Sequence, residues 1–284
     1  MADSFIDMDG STQLYALIGS PVRHSLSPLI HNTSFRLLGI NAAYLAFDIH
    51  DLKDTINGLK ALGVKGFNVT VPYKVAVMPY LDKVSEEARA IGAVNTVVKE
   101  GSKWVGYNTD ADGFAKTIEK FRNELKNQNV AVFGAGGSAR AVIYALLKNH
   151  DVHEIVVCNR SRGRADTLIR DFSILHGKTV LRCASSDEIK SLGCKLVVNA
   201  TPVGLTSNDS MVKSDFFDSG MFAYDLLYDP EESMFLRLAR AAGARAINGI
   251  DMLMEQAASA FFLWTQKTMP VELIKNLFKK VDNQ

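Results

Sequence analysis

The glycine-rich segment at residues 134–139 constrains the fold of this chain more than any other feature. It lies between an apolar run typical of a buried strand, NVAVFG, and a stretch typical of a helix, GSARAVIYALLKNH. In a G-x-G-x-x-A segment, the first glycine permits a tight turn, the second lets the backbone approach a pyrophosphate, and the small third residue lets helix and strand pack closely. A glycine-rich turn without a ligand is the alternative, but the flanking strand and helix favour a dinucleotide at the helix N-terminus. The residues predicted to surround the pyrophosphate are Gly134, Gly136, Gly137, Ser138 and Ala139.

The end of the next predicted strand indicates which dinucleotide binds. An NAD enzyme usually carries Asp or Glu there, which bonds the ribose 2′-hydroxyl. This chain instead has Cys158-Asn159-Arg160-Ser161-Arg162-Gly163-Arg164. A 2′-phosphate needs positive charge and hydrogen-bond donors, and Arg160, Ser161 and Arg164 supply both. The segment therefore favours NADP over NAD, the alternative being a solvated basic loop that begins a helix.

Strand and helix patterns alternate along the chain and predict an α/β fold. In the first 112 residues the predicted strands are LYALIG, AYLAFDI, GFNVTVP, AVNTVV and WVGY, and we expect a largely parallel sheet. Ser27 is the predicted N-cap of the first helix, with Pro28 at its first position and Gly39 as its stop signal. After the helix DGFAKTIEKFRNELKNQ the pattern restarts, and a second sheet is predicted from NVAVFG, EIVVCNR, KTVLRC, KLVVNAT, MFAYDLL and ARAING.

Composition narrows the range of partners. Hydrophobic residues make up 47% and charged residues 22% of the chain, as in ordinary soluble globular proteins. The formal net charge of +1 gives no reason to expect nucleic acid or a membrane surface as a partner. No apolar run reaches the roughly 18 residues of a membrane span. The three cysteines and six scattered histidines fit no disulfide or metal spacing, so we expect no metal and a cytoplasmic, reducing environment.

Four polar clusters fall at the ends of predicted elements in the first 112 residues. Taken singly, each has a structural explanation, since Ser27-Pro28 is an ordinary helix start and Asp110 could cap a helix. In open α/β sheets, however, ligands bind at the ends of strands, so the clusters together predict a binding site. They are Ser25 with Ser27, Asn68 with Thr70 and Lys74, Asn95 with Thr96, and Asn108 with Thr109 and Asp110.

These clusters belong to longer sequence blocks that occur in one order along the chain. The blocks are PVRHSLSP at 21–28, NVTVPYK at 68–74, GAVNT at 92–96, NTD at 108–110, NRS at 159–161, NATPVG at 199–204, DLLYDP at 225–230 and GIDML at 249–253, followed by Gln256. With the glycine-rich loop between them, they resemble the shikimate dehydrogenase family. The resemblance covers essentially the whole chain after about residue 12.

The resemblance implies two α/β domains with the active site in the cleft between them. Residues 1–112 and 250–284 would form a substrate-binding and catalytic domain, and residues 113–249 a Rossmann domain that binds NADP. The apolar periodicity of the last two predicted helices does not show where they pack. The resemblance implies that they return to the substrate domain. The implied activity is the reversible, NADP-dependent reduction of 3-dehydroshikimate to shikimate by hydride transfer, in a monomer or a homodimer.

The resemblance also implies roles for individual residues. Lys74 and Asp110 would be the catalytic pair, because hydride reduction of a ketone builds negative charge on oxygen and requires a proton there. The implied substrate-binding residues are Ser25, Ser27, Asn68, Thr70, Asn95, Tyr228 and Gln256. Asn159 would join the residues around the 2′-phosphate. Thr201, Leu226, Gly249 and Met252 would lie near the nicotinamide.

Three other functions remain alternatives at this stage. A quinate/shikimate dehydrogenase would accept quinate and NAD as well. A regulatory module that binds NADP but has lost catalysis would carry a damaged catalytic pair, whereas Lys74 and Asp110 are both present. A redox enzyme of similar architecture acting on another small molecule, such as a folate, fits less well with the serine-rich segment at residues 21–28.

Overall fold

Strands and helices alternate through the computed structural model, which describes residues 8–281. The chain divides into two units. The first unit comprises the residues up to Arg89, Ala93–Thr109, and those from Met254 onward. The second unit comprises Ala90–Gly92 and Asp110–Leu253. The α/β prediction is therefore confirmed, while the assignment of substrate and cofactor to residues 1–112 with 250–284 and to 113–249 stays a prediction.

The first unit is built on a sheet with strand order β2-β1-β3-β5-β6-β4. Its strands are β1 (Gln13–Gly19), β2 (Ala42–Asp48), β3 (Gly66–Val69), β4 (Lys83–Val84), β5 (Thr96–Glu100) and β6 (Lys103–Tyr107). Its helices are α1 (Ser27–Leu37), α2 (Leu52–Ala61), α3 (Glu86–Ile91, shared with the second unit), α10 (Ile250–Thr265, likewise shared) and α11 (Val271–Val281). A 3₁₀ turn spans Met78–Tyr80.

This sheet is mixed rather than uniformly parallel. Strand β1 pairs in parallel with β2 and β3, and β4 pairs in parallel with β6, but β5 is antiparallel to both β3 and β6. The short turn after Glu100, where Gly101 has a φ of +61°, can join only antiparallel strands, since a parallel connection needs a long crossover. Because β5 runs backwards, its first residue, Thr96, lies opposite Asn68 near the carboxyl end of β3.

Helix α1 does not begin as the sequence predicts. The N-cap is Leu26, in a helical conformation, and Ser27 is the first helical residue with Pro28 beside it. The prediction of Ser27 as N-cap was wrong because the hydroxyl of Ser25, two residues earlier, already accepts a hydrogen bond from the Ser27 N–H at 3.3 Å. The predicted stop at Gly39 agrees with its φ of +62°.

The second unit is built on a parallel sheet with strand order β12-β11-β10-β7-β8-β9. Its strands are β7 (Asn129–Phe133), β8 (Glu154–Cys158), β9 (Val180–Cys183), β10 (Leu196–Asn199), β11 (Phe222–Asp225) and β12 (Arg245–Ile247). Its remaining helices are α4 (Asp110–Ile118), α5 (Arg122–Leu125), α6 (Gly137–Asn149), α7 (Arg162–Asp171), α8 (Ser186–Ser191) and α9 (Met234–Ala241), with a 3₁₀ turn at Glu119–Phe121. The strand order reverses between the neighbouring strands β7 and β10, and open α/β sheets bind ligands at such a topological switch point.

Helix α8 was absent from the sequence prediction, although its start has a recognisable signal. Ser185 accepts a hydrogen bond from the Glu188 N–H, and the Glu188 carboxylate accepts one from the Ser185 N–H. This reciprocal capping box satisfies two backbone donors that a helix end otherwise leaves unpaired. The S-x-x-E pattern at 185–188 therefore marks a helix that is too short to show a clear apolar period.

Each unit has its own apolar core. In the first unit, Phe67 and Trp104 pack with ring centroids 4.8 Å apart beneath α2. In the second, Phe133, Phe216 and Phe235 belong to a cluster that covers one face of β7, β10 and β11. Among the described residues, no helix combines the length and the apolar character that crossing a membrane would require.

Helix α10 packs on the first sheet at a point where only glycine fits. Trp264 donates its indole N–H to the carbonyl oxygen of Val97 at 3.0 Å. A Cβ atom placed on Gly66 would lie 2.3 Å from the Trp264 Nε1 and 2.8 Å from that same carbonyl oxygen. The indole therefore occupies the space that a side chain at Gly66 would fill.

We expect Gly66→Ala to lower the free energy of unfolding of the first unit by about 1–3 kcal/mol, because the added methyl group overpacks this contact. The matched control is Gly58→Ala in α2, where a Cβ would meet no described heavy atom within 4 Å. Alanine favours a helix over glycine, so the control should raise stability by about 0.5–1 kcal/mol. Tryptophan fluorescence during urea unfolding reports on this unit, since Trp104 and Trp264 both lie in it. Equal stability of the two variants would contradict this account of Gly66.

Candidate functional site

Buried amide and hydroxyl groups meet at the junction of β3 and β5 in the first unit. Asn68 is 6% exposed, and its Nδ2 donates to the Asn95 carbonyl oxygen at 3.1 Å and to the Thr96 Oγ1 at 3.0 Å. The Tyr44 hydroxyl donates to the Asn68 Oδ1 at 2.7 Å. Two predicted substrate-binding residues, Asn68 and Asn95, thus belong to one hydrogen-bond network, because β5 pairs antiparallel to β3 and begins opposite Asn68.

Asn95 is the centre of this network. Its Oδ1 accepts from the Thr109 N–H at 2.7 Å and from the Thr96 hydroxyl at 3.0 Å. Its Nδ2 lies 3.0 Å from the Thr109 Oγ1 and 3.4 Å from the Gln256 Oε1, so α10 brings a third predicted substrate residue to the same place. Thr96 and Thr109 were not among the residues predicted to bind substrate. The sequence feature that could have identified them is their place in the polar clusters, Thr96 beside Asn95 and Thr109 beside Asp110.

Thr70, the residue after β3, lies close to the carboxyl end of β1. The Thr70 N–H donates to the carbonyl oxygen of Ile18 at 2.9 Å, so the residue that follows β3 lies beside β1. A Cβ on Gly19 would lie only 2.2 Å from the Thr70 Cγ2. Gly19 is therefore a requirement of this loop that the sequence analysis did not identify. Ser25, half-buried, and Ser27, buried, follow in the same connection.

Lys74 is anchored through its main chain. Its carbonyl oxygen accepts from the Val94 N–H at 2.8 Å, which places the half-buried Lys74 next to the segment that carries Asn95. Asp110 is the first residue of α4 and is 5% exposed. Lys74 lies in the first unit, whereas Asp110 and Tyr228 lie in the second. The action of Lys74 and Asp110 as a catalytic pair therefore stays a prediction.

The parallel register of the second sheet aligns the strand ends that carry the predicted cofactor residues. Cys158, Phe133, Asn199 and Asp225 are paired side by side across β8, β7, β10 and β11. The residues that follow them are, in the same order, Asn159, Gly134, Ala200 and Leu226. The sequence-predicted cofactor residues that directly follow these strands thus share the carboxyl edge of one sheet.

The glycine-rich loop has the backbone geometry that a pyrophosphate site requires. Gly134 has a φ of +117°, and a Cβ there would lie 2.8 Å from the carbonyl oxygen of Ala200. Gly136 is the N-cap of α6 and is exposed, and a Cβ there would meet no described heavy atom within 4 Å. The buried Ala139 packs in the first turn of the helix. An anion can therefore approach the positive end of α6 at Gly136, which fits a dinucleotide phosphate.

The loop after β8 presents its cations to solvent. Arg160, Arg162 and Arg164 are exposed, and the Asn159 Nδ2 donates to the carbonyl oxygen of Ser161 at 2.8 Å. Ser161 is the N-cap of α7. Three guanidinium groups without a carboxylate in residues 158–164 fit a ribose 2′-phosphate better than a free 2′-hydroxyl.

A second buried polar network holds the residues predicted to lie near the nicotinamide. The Asn199 Oδ1 accepts from the Thr201 N–H at 2.9 Å and from its hydroxyl at 2.7 Å, while the Asn199 Nδ2 donates to the Asp225 carboxylate at 2.9 Å. Asp225 also accepts from the Ser233 hydroxyl and the Leu227 N–H. Asn199 and Asp225 lie in the sequence blocks NATPVG and DLLYDP, but no local pattern predicts that they support Thr201 and Leu226.

Gly249 and Met252 lie at the end of β12 and the start of α10. A Cβ on Gly249 would lie 2.2 Å from the carbonyl oxygen of Leu226, and the Gly249 N–H donates to the Leu227 carbonyl at 2.9 Å. Met252 is buried. Among the described residues, no group of three His, Cys, Asp or Glu side chains has the arrangement needed to hold a metal ion.

Three family models match the chain in succession. Residues 17–97 match the shikimate dehydrogenase substrate binding domain, residues 115–189 match shikimate / quinate 5-dehydrogenase, and residues 249–277 match the shikimate 5′-dehydrogenase C-terminal domain. The matched ranges include Asn68 and Asn95 in the first, the glycine-rich loop in the second and Gln256 in the third.

Known proteins resemble the chain along most of its length. The shikimate dehydrogenase (NADP(+)) of Caldanaerobacter subterraneus subsp. tengcongensis is 42% identical over 91% of this chain and 93% of its own length. The crystal structure of shikimate dehydrogenase from Aquifex aeolicus matches with a TM-score of 0.86 and 39% identity, over 95% of this chain and 98% of the other. The quinate dehydrogenase from Corynebacterium glutamicum in complex with NAD matches with a TM-score of 0.84 and 32% identity, over 95% and 99%.

Burial gives Asp225 a pH dependence that can be measured. Desolvation raises the pKa of this fully buried carboxyl from 3.8 to about 6, although its three hydrogen bonds lower the pKa in part. The folded protein therefore binds the Asp225 proton more tightly than the unfolded chain, so this group's contribution to stability is lost as the pH rises from about 4 to about 6.

We expect wild type to lose about 2–3 kcal/mol relative to Asp225→Asn across this interval, since one pKa unit corresponds to about 1.4 kcal/mol. Scanning calorimetry of both proteins between about pH 4 and pH 7 measures the difference. The exposed Asp187→Asn, in the same unit, controls for the loss of one carboxylate. Parallel stability curves for wild type and Asp225→Asn would show that this pKa is not raised.

Proposed function

Because the chain belongs to the shikimate dehydrogenase family, we propose that it catalyses the NADP-dependent, reversible reduction of 3-dehydroshikimate to shikimate. The observation that carries this proposal is the likeness to NADP-dependent relatives along more than nine-tenths of the chain, together with the presence of the predicted polar residues in both units. We assign substrate binding to residues 1–112 with 250–284 and cofactor binding to residues 113–249.

The substrate-binding residues suit a polyhydroxylated ring that carries a carboxylate. We assign the carboxylate to the hydroxyl groups of Ser25, Ser27 and Tyr228, and the ring hydroxyls to Asn68, Thr70, Asn95 and Gln256. The buried network of Asn68, Asn95 and Gln256 supports the second assignment. A site that hydrogen-bonds substrate hydroxyls discriminates strongly against analogues that lack them, because its own polar groups are then left unpaired.

NADP supplies the hydride acceptor or donor when it is bound. The Gly134–Ala139 loop and the N-terminus of α6 would hold its pyrophosphate, and Arg160, Ser161 and Arg164, together with Asn159, its 2′-phosphate. Thr201, Leu226, Gly249 and Met252 would line the nicotinamide side. The close approach of Gly249 to Leu226 supports a rigid surface there.

We assign the proton transfer to Lys74. As the ketone is reduced, its oxygen gains negative charge, and the Lys74 ammonium group donates a proton to it; in the oxidation of shikimate, Lys74 accepts that proton. Asp110 would orient Lys74 and bond the same oxygen. The anchoring of the Lys74 carbonyl by Val94 supports a fixed position for this residue.

We also propose that the enzyme works in the cytoplasm as a monomer or a homodimer. The cysteines Cys158, Cys183 and Cys194 are free thiols, which agrees with a reducing compartment. Light scattering coupled to size-exclusion chromatography distinguishes the two oligomeric states.

A quinate/shikimate dehydrogenase that also accepts NAD is the second candidate, favoured by the likeness to a quinate dehydrogenase with bound NAD. Initial rates of oxidation of shikimate and of quinate, each with NADP and with NAD, separate the two functions. We expect shikimate with NADP to lead by more than about a hundredfold in kcat/KM, or about 2.7 kcal/mol. Rates for quinate or NAD within about tenfold would favour the second candidate.

The role of Lys74 is tested by Lys74→Ala. We expect kcat to fall about 10²–10⁴-fold, the usual contribution of a general acid–base group, with a smaller change in KM. The control is Lys53→Ala, which removes an exposed lysine from α2 in the same unit and should leave both constants unchanged. If Lys74→Ala retained most of its turnover, the assignment would be wrong.

A further inference from the structure

Tyr44 is a fully buried residue of β2 to which sequence analysis gave no role. Its hydroxyl donates to the Asn68 Oδ1 at 2.7 Å, across 24 residues of sequence. The other hydrogen-bond partners of Asn68 show which atom of its carboxamide is the oxygen and which is the nitrogen. The Asn95 carbonyl oxygen can only accept, so the Asn68 atom that faces it must be the nitrogen.

The second proton of the Asn68 amide group is committed as well. It goes to the Thr96 Oγ1 at 3.0 Å, and this holds whether the Thr96 hydroxyl donates its own proton to the Asn95 Oδ1 at 3.0 Å or to the Thr109 Oγ1 at 3.2 Å. Both N–H groups of Asn68 are therefore used inside the protein. Its Oδ1 has two lone pairs and accepts one hydrogen bond from Tyr44, which leaves one lone pair. Toward a ligand, Asn68 can only accept.

The position of Tyr44 is fixed from two sides. Strand β2 lies at the edge of its sheet, and the Asn32 side chain of α1 bonds both the Tyr44 N–H at 2.8 Å and the Tyr44 carbonyl oxygen at 2.9 Å. The ring of His31 stacks on the Tyr44 ring with centroids 4.5 Å apart. His31 is fully buried, and desolvation lowers its pKa to about 3, so the stacked imidazole is neutral.

We propose that Tyr44 is a positioning residue whose hydroxyl holds Asn68 as a hydrogen-bond acceptor for a ring hydroxyl of the substrate. The proposal rests on the proposed function and deepens it. A ketone oxygen has no proton to donate, so Asn68 bonds a hydroxyl present in both 3-dehydroshikimate and shikimate. Replacement of that hydroxyl by hydrogen or a methyl ether removes the donor that the remaining lone pair requires.

Tyr44→Phe tests the proposal, and the fold provides a matched control. Tyr15 is paired in register with Tyr44 on the neighbouring strand and is 2% exposed, but its hydroxyl bonds Gln13 at 3.2 Å rather than Asn68. Both substitutions remove one buried hydroxyl from the same layer of the sheet. We expect Tyr44→Phe to raise KM for shikimate about five- to tenfold with a smaller change in kcat, as for loss of one hydrogen bond, and Tyr15→Phe to change neither.

Substrate analogues separate positioning from a purely structural role. In wild type, one of the two shikimate analogues that lack a single non-reacting ring hydroxyl should lose more kcat/KM than the other. In Tyr44→Phe that preference should shrink, because Asn68 is no longer held as an acceptor, while Tyr15→Phe should keep it. An unchanged preference in Tyr44→Phe would overturn the proposal, as would equal effects of the two tyrosine variants.

A readout without catalysis distinguishes failure of this inference from failure of the proposed function. The side-chain amide protons of Asn68, observed by NMR in protein labelled at asparagine, should exchange slowly in wild type and in Tyr15→Phe and faster in Tyr44→Phe. If wild type did not oxidise shikimate, the proposed function would fail, yet this difference would still support the hold of Tyr44 on Asn68. Equal exchange in all three proteins would refute that hold, whatever the activity.

Discussion

Pairing the buried carboxamides is the constraint on which the polar site of the first unit depends. A buried donor or acceptor left unpaired costs about 1–3 kcal/mol, so Asn68 and Asn95 are tolerated only with their partners in place. Those partners come from β2, from the start of β5, from Thr109 and from α10. The same bonds that stabilise the fold therefore set which atoms of the site face a ligand as donors and which as acceptors.

In the second unit, the buried polar groups are paired around a carboxylate, that of Asp225. Asp225 is buried and accepts three hydrogen bonds, one of them from the carboxamide that holds Thr201. The cost of desolvating the carboxylate appears in its raised pKa. The hydrogen bonds of Asn199 and Asp225 connect the segments that follow β10 and β11, next to the glycine-rich loop. Backbone close approaches at Gly134 and Gly249 then leave no room for side chains at these positions.

Sequence patterns revealed features that depend on residues close together in the chain. The strand, glycine-rich loop and helix at residues 129–149 form one continuous segment, and their geometry agrees with the prediction. The resemblance to a known family implied two domains, in agreement with the two units of the structure, and the residues that it implies for both binding sites stay predictions. A largely parallel sheet was expected in the first unit, but the short connection between the predicted strands AVNTVV and WVGY can join only antiparallel strands.

Features that depend on distant partners could not be predicted from the sequence. Tyr44 meets Asn68 across 24 residues, and Gln256 meets Asn95 across 161, and no local period indicates either contact. Gly19 matters only because Thr70 lies against it. The N-cap of α1 was misplaced since Ser25 rather than Ser27 supplies the hydroxyl. Helix α8, by contrast, was missed despite a local signal, the capping box at Ser185.

The central claim is that this chain transfers a hydride between NADP and a shikimate ring carbon. The most direct test supplies wild-type enzyme with 3-dehydroshikimate and with NADPH deuterated at the transferable position of the nicotinamide ring, and analyses the product by mass spectrometry and NMR. The account predicts shikimate that carries one deuterium, on the carbon that was the ketone. Shikimate without deuterium, or no reduction of 3-dehydroshikimate, would contradict it.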